Sequence, residues 1–299
     1  MNKAEYFKSG FVAVVGRPNV GKSTMINALI GDKIAIVSDK AQTTRNRIIC
    51  VYTDEEKQIV FMDTPGVHKP KHKLGEFMVD AAIESLKETE AVLFVVAGNE
   101  KRGPGDNFII EQLKRVKVPV FLVVNKIDTL QKEQVLEAIV SYQDAYPFAG
   151  VIPISAKNKE NLSELLNVLG EHLPEGPQYF PEDMITDQPE RLIISDIVRE
   201  KILLSTRDEI PHAIAVDVDE MKTRDDGTTY IRATIYCERD SQKGIIIGNK
   251  GALLRKIGAE ARMDIQKLLA TKVYLNLWVK VKKDWRNKSG MLSELGYKK

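Results

Sequence analysis

The sequence predicts an α/β domain with a mostly parallel sheet, followed by a smaller α+β domain. Three observations point there. Short apolar runs alternate with helical patterns as far as residue 173, a proline-rich stretch then breaks the periodicity, and beyond it the order becomes helix, two strands, two helices and a strand. With 299 residues, the chain is long enough for two domains of ordinary size. Its 43% hydrophobic and 29% charged residues are typical of a globular protein with a real core.

The first domain opens with GFVAVVG at 10–16, an apolar run ending in glycine. It continues into KSTMINALIG, where Met25, Ile26, Leu29 and Ile30 recur at helical spacing. Further strands are expected at 47–52, 58–63, 91–96, 119–124 and 151–155, and the strand–helix alternation after residue 63 gives a parallel sheet flanked by helices. PEGPQYFPEDMITDQP, at 174–189, holds four of the 12 prolines and reads as a linker. The boundaries predicted are 1–175 for the first domain, 176–189 for the linker and 190–299 for the second domain. There, ERLIISDIVREKILLSTRDEI has the pattern of an amphipathic helix, and HAIAVDVDE and TTYIRATIYCER form a hairpin around RDDG at 224–227. GIIIGNKG, a helical stretch from Ala252 to Ala270 and the strand pattern KVYLNLWVKVKK complete it.

Several classes of protein are excluded. The longest apolar runs, AVLFVVAG at 91–98 and PVFLVVN at 119–125, fall well short of the ~20 residues of a membrane helix. The N-terminus shows no secretory signal, so a cytoplasmic location is expected. Cys50 and Cys237 lie in no paired motif, and His68, His72, His172 and His212 have no metal-ligand spacing, which argues against a zinc enzyme.

GRPNVGKS at 16–23 matches the G-x-x-x-x-G-K-[ST] phosphate loop between a strand and a helix. Main-chain N–H groups of Gly16, Asn19, Val20, Gly21 and Thr24 face the phosphates, Lys22 adds positive charge and Ser23 holds Mg²⁺. NKID at 125–128 follows a buried strand, so Asn125, Lys126 and Asp128 emerge where open α/β sheets bind ligands. Asp128 accepts from the ring N–H and amino group that guanine has and adenine lacks, which selects GTP and GDP. Ser155, Ala156 and Lys157, the SAK after a short strand, supply main-chain contacts to the guanine oxygen. DTPG at 63–66 ends another strand, placing Asp63 beside the metal and the Gly66 N–H near the γ-phosphate.

With these motifs in this order, and with QTTR at 42–45 and DTPGVH at 63–68, the chain resembles the translation-factor-like GTPases and, within them, the Era family of bacterial GTPases. The resemblance covers nearly the whole chain. It implies a GTP-hydrolysing switch whose switch segments are 40–45 and 64–75, with Thr44 closing on Mg²⁺ and γ-phosphate and Thr43 as the alternative. Val67 stands where Ras-like enzymes carry a water-orienting glutamine, so slow intrinsic turnover is expected. Two compensations are open: a potassium ion held partly by Asn19, or a group supplied in trans by a partner.

In the second domain, GNKG at 248–251 joins two helical segments, and the whole order resembles a type II KH domain. Gly248 and Gly251 let an RNA backbone approach, Asn249 and Lys250 form the loop tip, and Lys243, Arg255 and Lys256 extend the basic surface. Ile246 and Ile247 would wall a base groove, although some of the isoleucines at 245–247 must be core. From Arg239 to Lys288 there are 13 Lys or Arg against 4 Asp or Glu, a local excess of +9 that calls for a polyanionic partner. The resemblance implies that the partner is the 3′ end of small-subunit ribosomal RNA, bound by a monomer during subunit assembly. It also implies peripheral contact with the inner face of the cell membrane, for which Trp278, Lys280, Lys282, Lys283, Trp285 and Arg286 offer an aromatic and basic surface.

Overall fold

The computed structural model describes residues 7–32, 34–38, 40, 43–67, 72–208 and 210–297. Gln42 of the QTTR segment and His68 of DTPGVH lie outside the described residues. The chain divides into two compact units.

The first unit is built on six strands: β1 (Lys8–Val15), β2 (Ile48–Thr53), β3 (Lys57–Asp63), β4 (Ala91–Ala97), β5 (Val120–Asn125) and β6 (Gly150–Pro153). Their order is β2-β3-β1-β4-β5-β6, with every pair parallel except β2–β3. Such a sheet needs both faces covered, which is why β4 and β5 are continuous apolar runs, buried throughout, and not alternating patterns. Five helices do the covering: α1 (Lys22–Ile30), α2 (Lys73–Glu84), α3 (Pro104–Leu113), α4 (Lys132–Gln143) and α5 (Leu162–His172). Met25, Ile26 and Leu29 of α1 join Leu165 and Leu169 of α5 in one apolar layer, and Ala82, Ile110, Leu113 and Tyr142 from α2, α3 and α4 join another.

The first unit reaches Asp187, twelve residues beyond the sequence-based boundary. The proline-rich stretch is a strap and not a free linker. The Gln58 carboxamide accepts from Tyr179 and Phe180 N–H and donates to Phe180 O, while Val51 N–H donates to Ile185 O and Thr186 Oγ1 to Ile49 O.

The second unit comprises 188–299 with residues 36–41 and 72–74. It contains α6 (Glu190–Ser205), α7 (Ile210–Ala213), β7 (Ala215–Thr223), β8 (Thr229–Cys237), α8 (Asp240–Ile247), α9 (Ala252–Leu269), β9 (Val273–Val281) and α10 (Ser289–Glu294). β7 pairs antiparallel and β9 parallel with β8. Ile194, Val198 and Ile202 of α6 and Ile257, Ala261 and Ile265 of α9 pack with Ile231, Ala233 and Ile235 of β8 as one core. The spacing of four residues along both helices is what brings these side chains onto one face. Within this unit the buried Glu200 accepts from Val37 N–H at 2.9 Å.

Candidate active site and nucleic-acid interface

The nucleotide loops all follow carboxyl ends of strands: 16–23 after β1, 63–66 at the end of β3, 125–128 after β5 and 155–157 after β6. In the first loop Asn19 and Gly21 have positive φ of 65° and 97°, so successive N–H groups turn toward one side, as anion binding needs. Glycine is required twice by close approach. A Cβ on Gly16 would collide with Val95 O and one on Gly21 with Asn125 Nδ2. Lys22 is buried and its Nζ donates to Gly16 O and Arg17 O, each at 3.1 Å. Desolvation lowers its pKa to about 8 against the opposing pull of Asp63.

Ser23, Thr44 and Asp63 converge. Ser23 Oγ donates to Asp63 Oδ2 at 2.8 Å and lies 3.0 Å from Thr44 Oγ1, which itself donates to Asp63 Oδ2 at 3.2 Å. Thr44 thus stands beside the carboxylate. Burial pushes the Asp63 carboxyl above its ordinary pKa, and its Oδ1 is buried without a hydrogen-bond partner among the described residues. Three hard oxygen ligands and one orphaned carboxylate oxygen form a donor set that fits Mg²⁺. A Cβ on Gly66 would come within 2.8 Å of Pro18, so the γ-phosphate loop and the phosphate loop touch through that glycine. Val67 is buried, donates its N–H to Gly16 O and offers no side-chain group to water.

On the base side, Asn125 ties three loops together. Its Nδ2 donates to Val20 O at 2.9 Å, and its Oδ1 accepts from Lys126 N–H at 2.8 Å and Ala156 N–H at 3.0 Å. The Ala156 N–H and Val20 O are therefore engaged within the protein, and the Val20 side chain is core. Asp128 is exposed at the site, with Oδ1 accepting from the buried Ser155 hydroxyl at 2.7 Å. That hydroxyl also accepts from Asn158 N–H. Lys157 is exposed, Thr24 is half-buried and Lys126 holds φ 68° at the loop apex. Sequence reasoning missed Arg17, which donates to Asp106 at 2.9 Å and Glu100 at 2.8 Å, while Glu100 also faces Lys126 at 3.7 Å. This network braces the phosphate loop against α3, and no motif spacing links residues 83 and 89 positions apart.

In the second unit the GNKG turn sits between α8 and α9, with φ of 72° at Gly248, 48° at Lys250 and 78° at Gly251. A Cβ on Gly248 would come within 2.8 Å of Leu253 Cβ. Asn249, Lys250, Arg255 and Lys256 are exposed and Lys243 is half-buried. Two expectations are corrected here. Ile246 is fully buried in the core and cannot wall a groove; helical rotation turns Ile245 outward, at 54% exposed, and leaves Ile247 between. Trp285, expected on a membrane-facing surface, is also fully buried, its indole N–H donating to Ala213 O at 2.9 Å.

With a G-x-x-x-x-G-K-S loop, an exposed Asp128 and the converging Ser23, Thr44 and Asp63 at one end of its sheet, the first unit is a P-loop GTPase, and it is followed by a KH domain. Residues 11–126 match the family described as 50S ribosome-binding GTPase, and residues 209–286 match the KH domain family. Aquifex aeolicus Era, in a variant bound to GDP and AlF4⁻, is 43% identical over 97% of this chain and 99% of its own, with a TM-score of 0.94. Era in complex with MgGDPNP and nucleotides 1506–1542 of 16S ribosomal RNA gives the same identity, coverage and TM-score. The chain belongs to the Era family and is a GTP-hydrolysing enzyme.

Proposed function

We propose that this chain is a nucleotide-gated RNA binder that engages the 3′ end of small-subunit ribosomal RNA through residues 248–251 and assists assembly of the small subunit in the cytoplasm. What supports the reading most directly is one chain carrying both a guanine-reading Asp128 and a GNKG turn with exposed Lys250 and Arg255, together with a relative 43% identical that binds MgGDPNP and 16S RNA at once.

In hydrolysis, Lys22 and the loop N–H groups neutralise the β- and γ-phosphates, and Asp128 orients the base. Ser23, Thr44 and Asp63 would hold Mg²⁺, which supplies Lewis-acid stabilisation of the phosphates when bound. Because Val67 orients no water, turnover depends on a further positive charge near the β–γ bridge. We assign that role to potassium held partly by Asn19; equal rates in sodium and potassium chloride would remove it and leave a group donated in trans. The membrane reading loses Trp285, and no described helix is long and apolar enough to cross a bilayer. Exposed Trp278, Lys280, Lys282 and Lys283 are what remain for a lipid surface.

Equilibrium binding of a 3′-terminal 16S RNA fragment, with GDPNP and with GDP, tests the assignment on wild type and Gly251→Asp. Tight binding favoured by GDPNP and lost in the variant is expected. Equal weak binding by both proteins sinks the RNA assignment and leaves the GTPase standing, and a parallel liposome sedimentation then reads the membrane alternative.

A further inference from the structure

The first unit has a cavity of about 520 Å³ at the amino ends of β4 and β5, the end of the sheet opposite the nucleotide loops. Its walls are the last turns of α2 and α3 and the segments leading from them into the two strands. A space of this size suits a small molecule.

Its lining combines two main kinds of side chain with the polar amide of Gln112. Ile83, Leu86, Val116 and Val118 are aliphatic, and Lys87, Arg115 and Lys117 are cations. No carboxylate lines it, and none of the three cations is in an ion pair among the described residues, whereas the adjacent Lys114 is paired with Glu111 at 2.6 Å. Thr89 also lines the cavity; it is 8% exposed, and its Oγ1 has no hydrogen-bond partner among the described residues. Cations near helix C-termini complement the helix dipole, which accounts for Lys87 and Arg115. It does not account for Lys117, for the aliphatic surface between the charges or for a buried hydroxyl left unpaired, which native folds normally satisfy.

We infer that this cavity binds a small organic anion in which a phosphate or carboxylate is carried on an apolar body. The anionic group takes the charge of Lys87, Arg115 and Lys117, and the apolar body covers Ile83, Leu86, Val116 and Val118. Guanine nucleotide is not the ligand, since the cavity has no carboxylate to read the base as Asp128 does.

The test uses the full chain saturated with GDP, with methyl resonances of Ile, Leu and Val followed by NMR while phenyl phosphate is titrated. Saturable shifts are expected at Ile83, Leu86, Val116 and Val118, with affinity at least ~10-fold above that of inorganic phosphate or benzyl alcohol, because each of these supplies half of the recognition. Arg115→Gln with Lys117→Gln weakens phenyl phosphate at least ~10-fold, Arg115→Lys with Lys117→Arg keeps it, and both pairs retain GTP hydrolysis. Benzyl alcohol binding as tightly as phenyl phosphate, affinity unchanged in the charge-removing pair, or no saturable shift overturns the proposal.

Discussion

In the nucleotide site the polar side chains are held by other groups of the protein, whereas at the GNKG turn Lys250 and Arg255 stand in solvent. Asn125 spends three hydrogen bonds on neighbouring loops, Ser155 fixes Asp128, and Lys22 is buried against two carbonyls. Lys250 and Arg255 are exposed and in no ion pair among the described residues. The contrast follows from the ligands. Telling one base from another requires groups that cannot relax around the wrong one. Holding a polymer backbone requires charge that displaces counterions and main chain that phosphates can approach.

The largest effect is expected where rigidity and specificity coincide. Asp128→Asn should invert the base preference, moving the ratio of GTP to xanthosine triphosphate affinity by ~10⁴-fold, since a carboxylate read by two donors becomes an amide that repels one of them. Competition binding measures it; an unchanged ratio would break the claim that Asp128 reads the base. Lys22→Ala and Asp63→Ala come next, each lowering kcat by at least ~10²–10³-fold, readable as phosphate release at saturating GTP. On the solvent-exposed side the effects shrink. Lys250→Glu should weaken RNA binding at every sequence and flatten the slope of log K against log salt by about 1, with GTP hydrolysis unchanged. A loss confined to one RNA sequence would contradict a backbone-clamping role.

The smallest effect is on pH. Lys22 carries a pKa lowered to about 8, chiefly by desolvation, and a polyanionic nucleotide raises it, so binding takes up a proton wherever the free site has lost one. Affinity for GTP should therefore be level below pH 8 and fall as pH rises through it, by up to ~10-fold per unit. Calorimetry in buffers of different ionisation enthalpy counts the protons; equal uptake at pH 7 and pH 9 would place the Lys22 pKa elsewhere.

What the sequence disclosed was local. The loops at strand ends are short motifs whose chemistry is carried by adjacent residues, so GRPNVGKS, DTPG, NKID and SAK point to the side chains that the structure gathers at one end of the sheet. The misjudged features depend on distant partners. Residues 174–189 read as a linker because their attachment runs through Gln58, more than a hundred positions away. Three consecutive isoleucines at 245–247 give no phase for a helix, so nothing in them marked Ile246 as the buried one. Trp285 sat among lysines and read as surface, while its anchor is Ala213, 72 residues earlier.

The strap has one more consequence. β2 is the edge strand of the six-stranded sheet, and Val51, Cys50 and Ile49 are met there by Ile185 and Thr186 in an antiparallel arrangement. An open edge of this kind is a template for pairing with another chain. Ile185 and Thr186 cap it, so a GTPase unit cut at 175 would bare the Val51 amide and the Ile49 carbonyl on an uncovered edge and aggregate more readily, whereas one cut at 187 keeps its own guard against self-association.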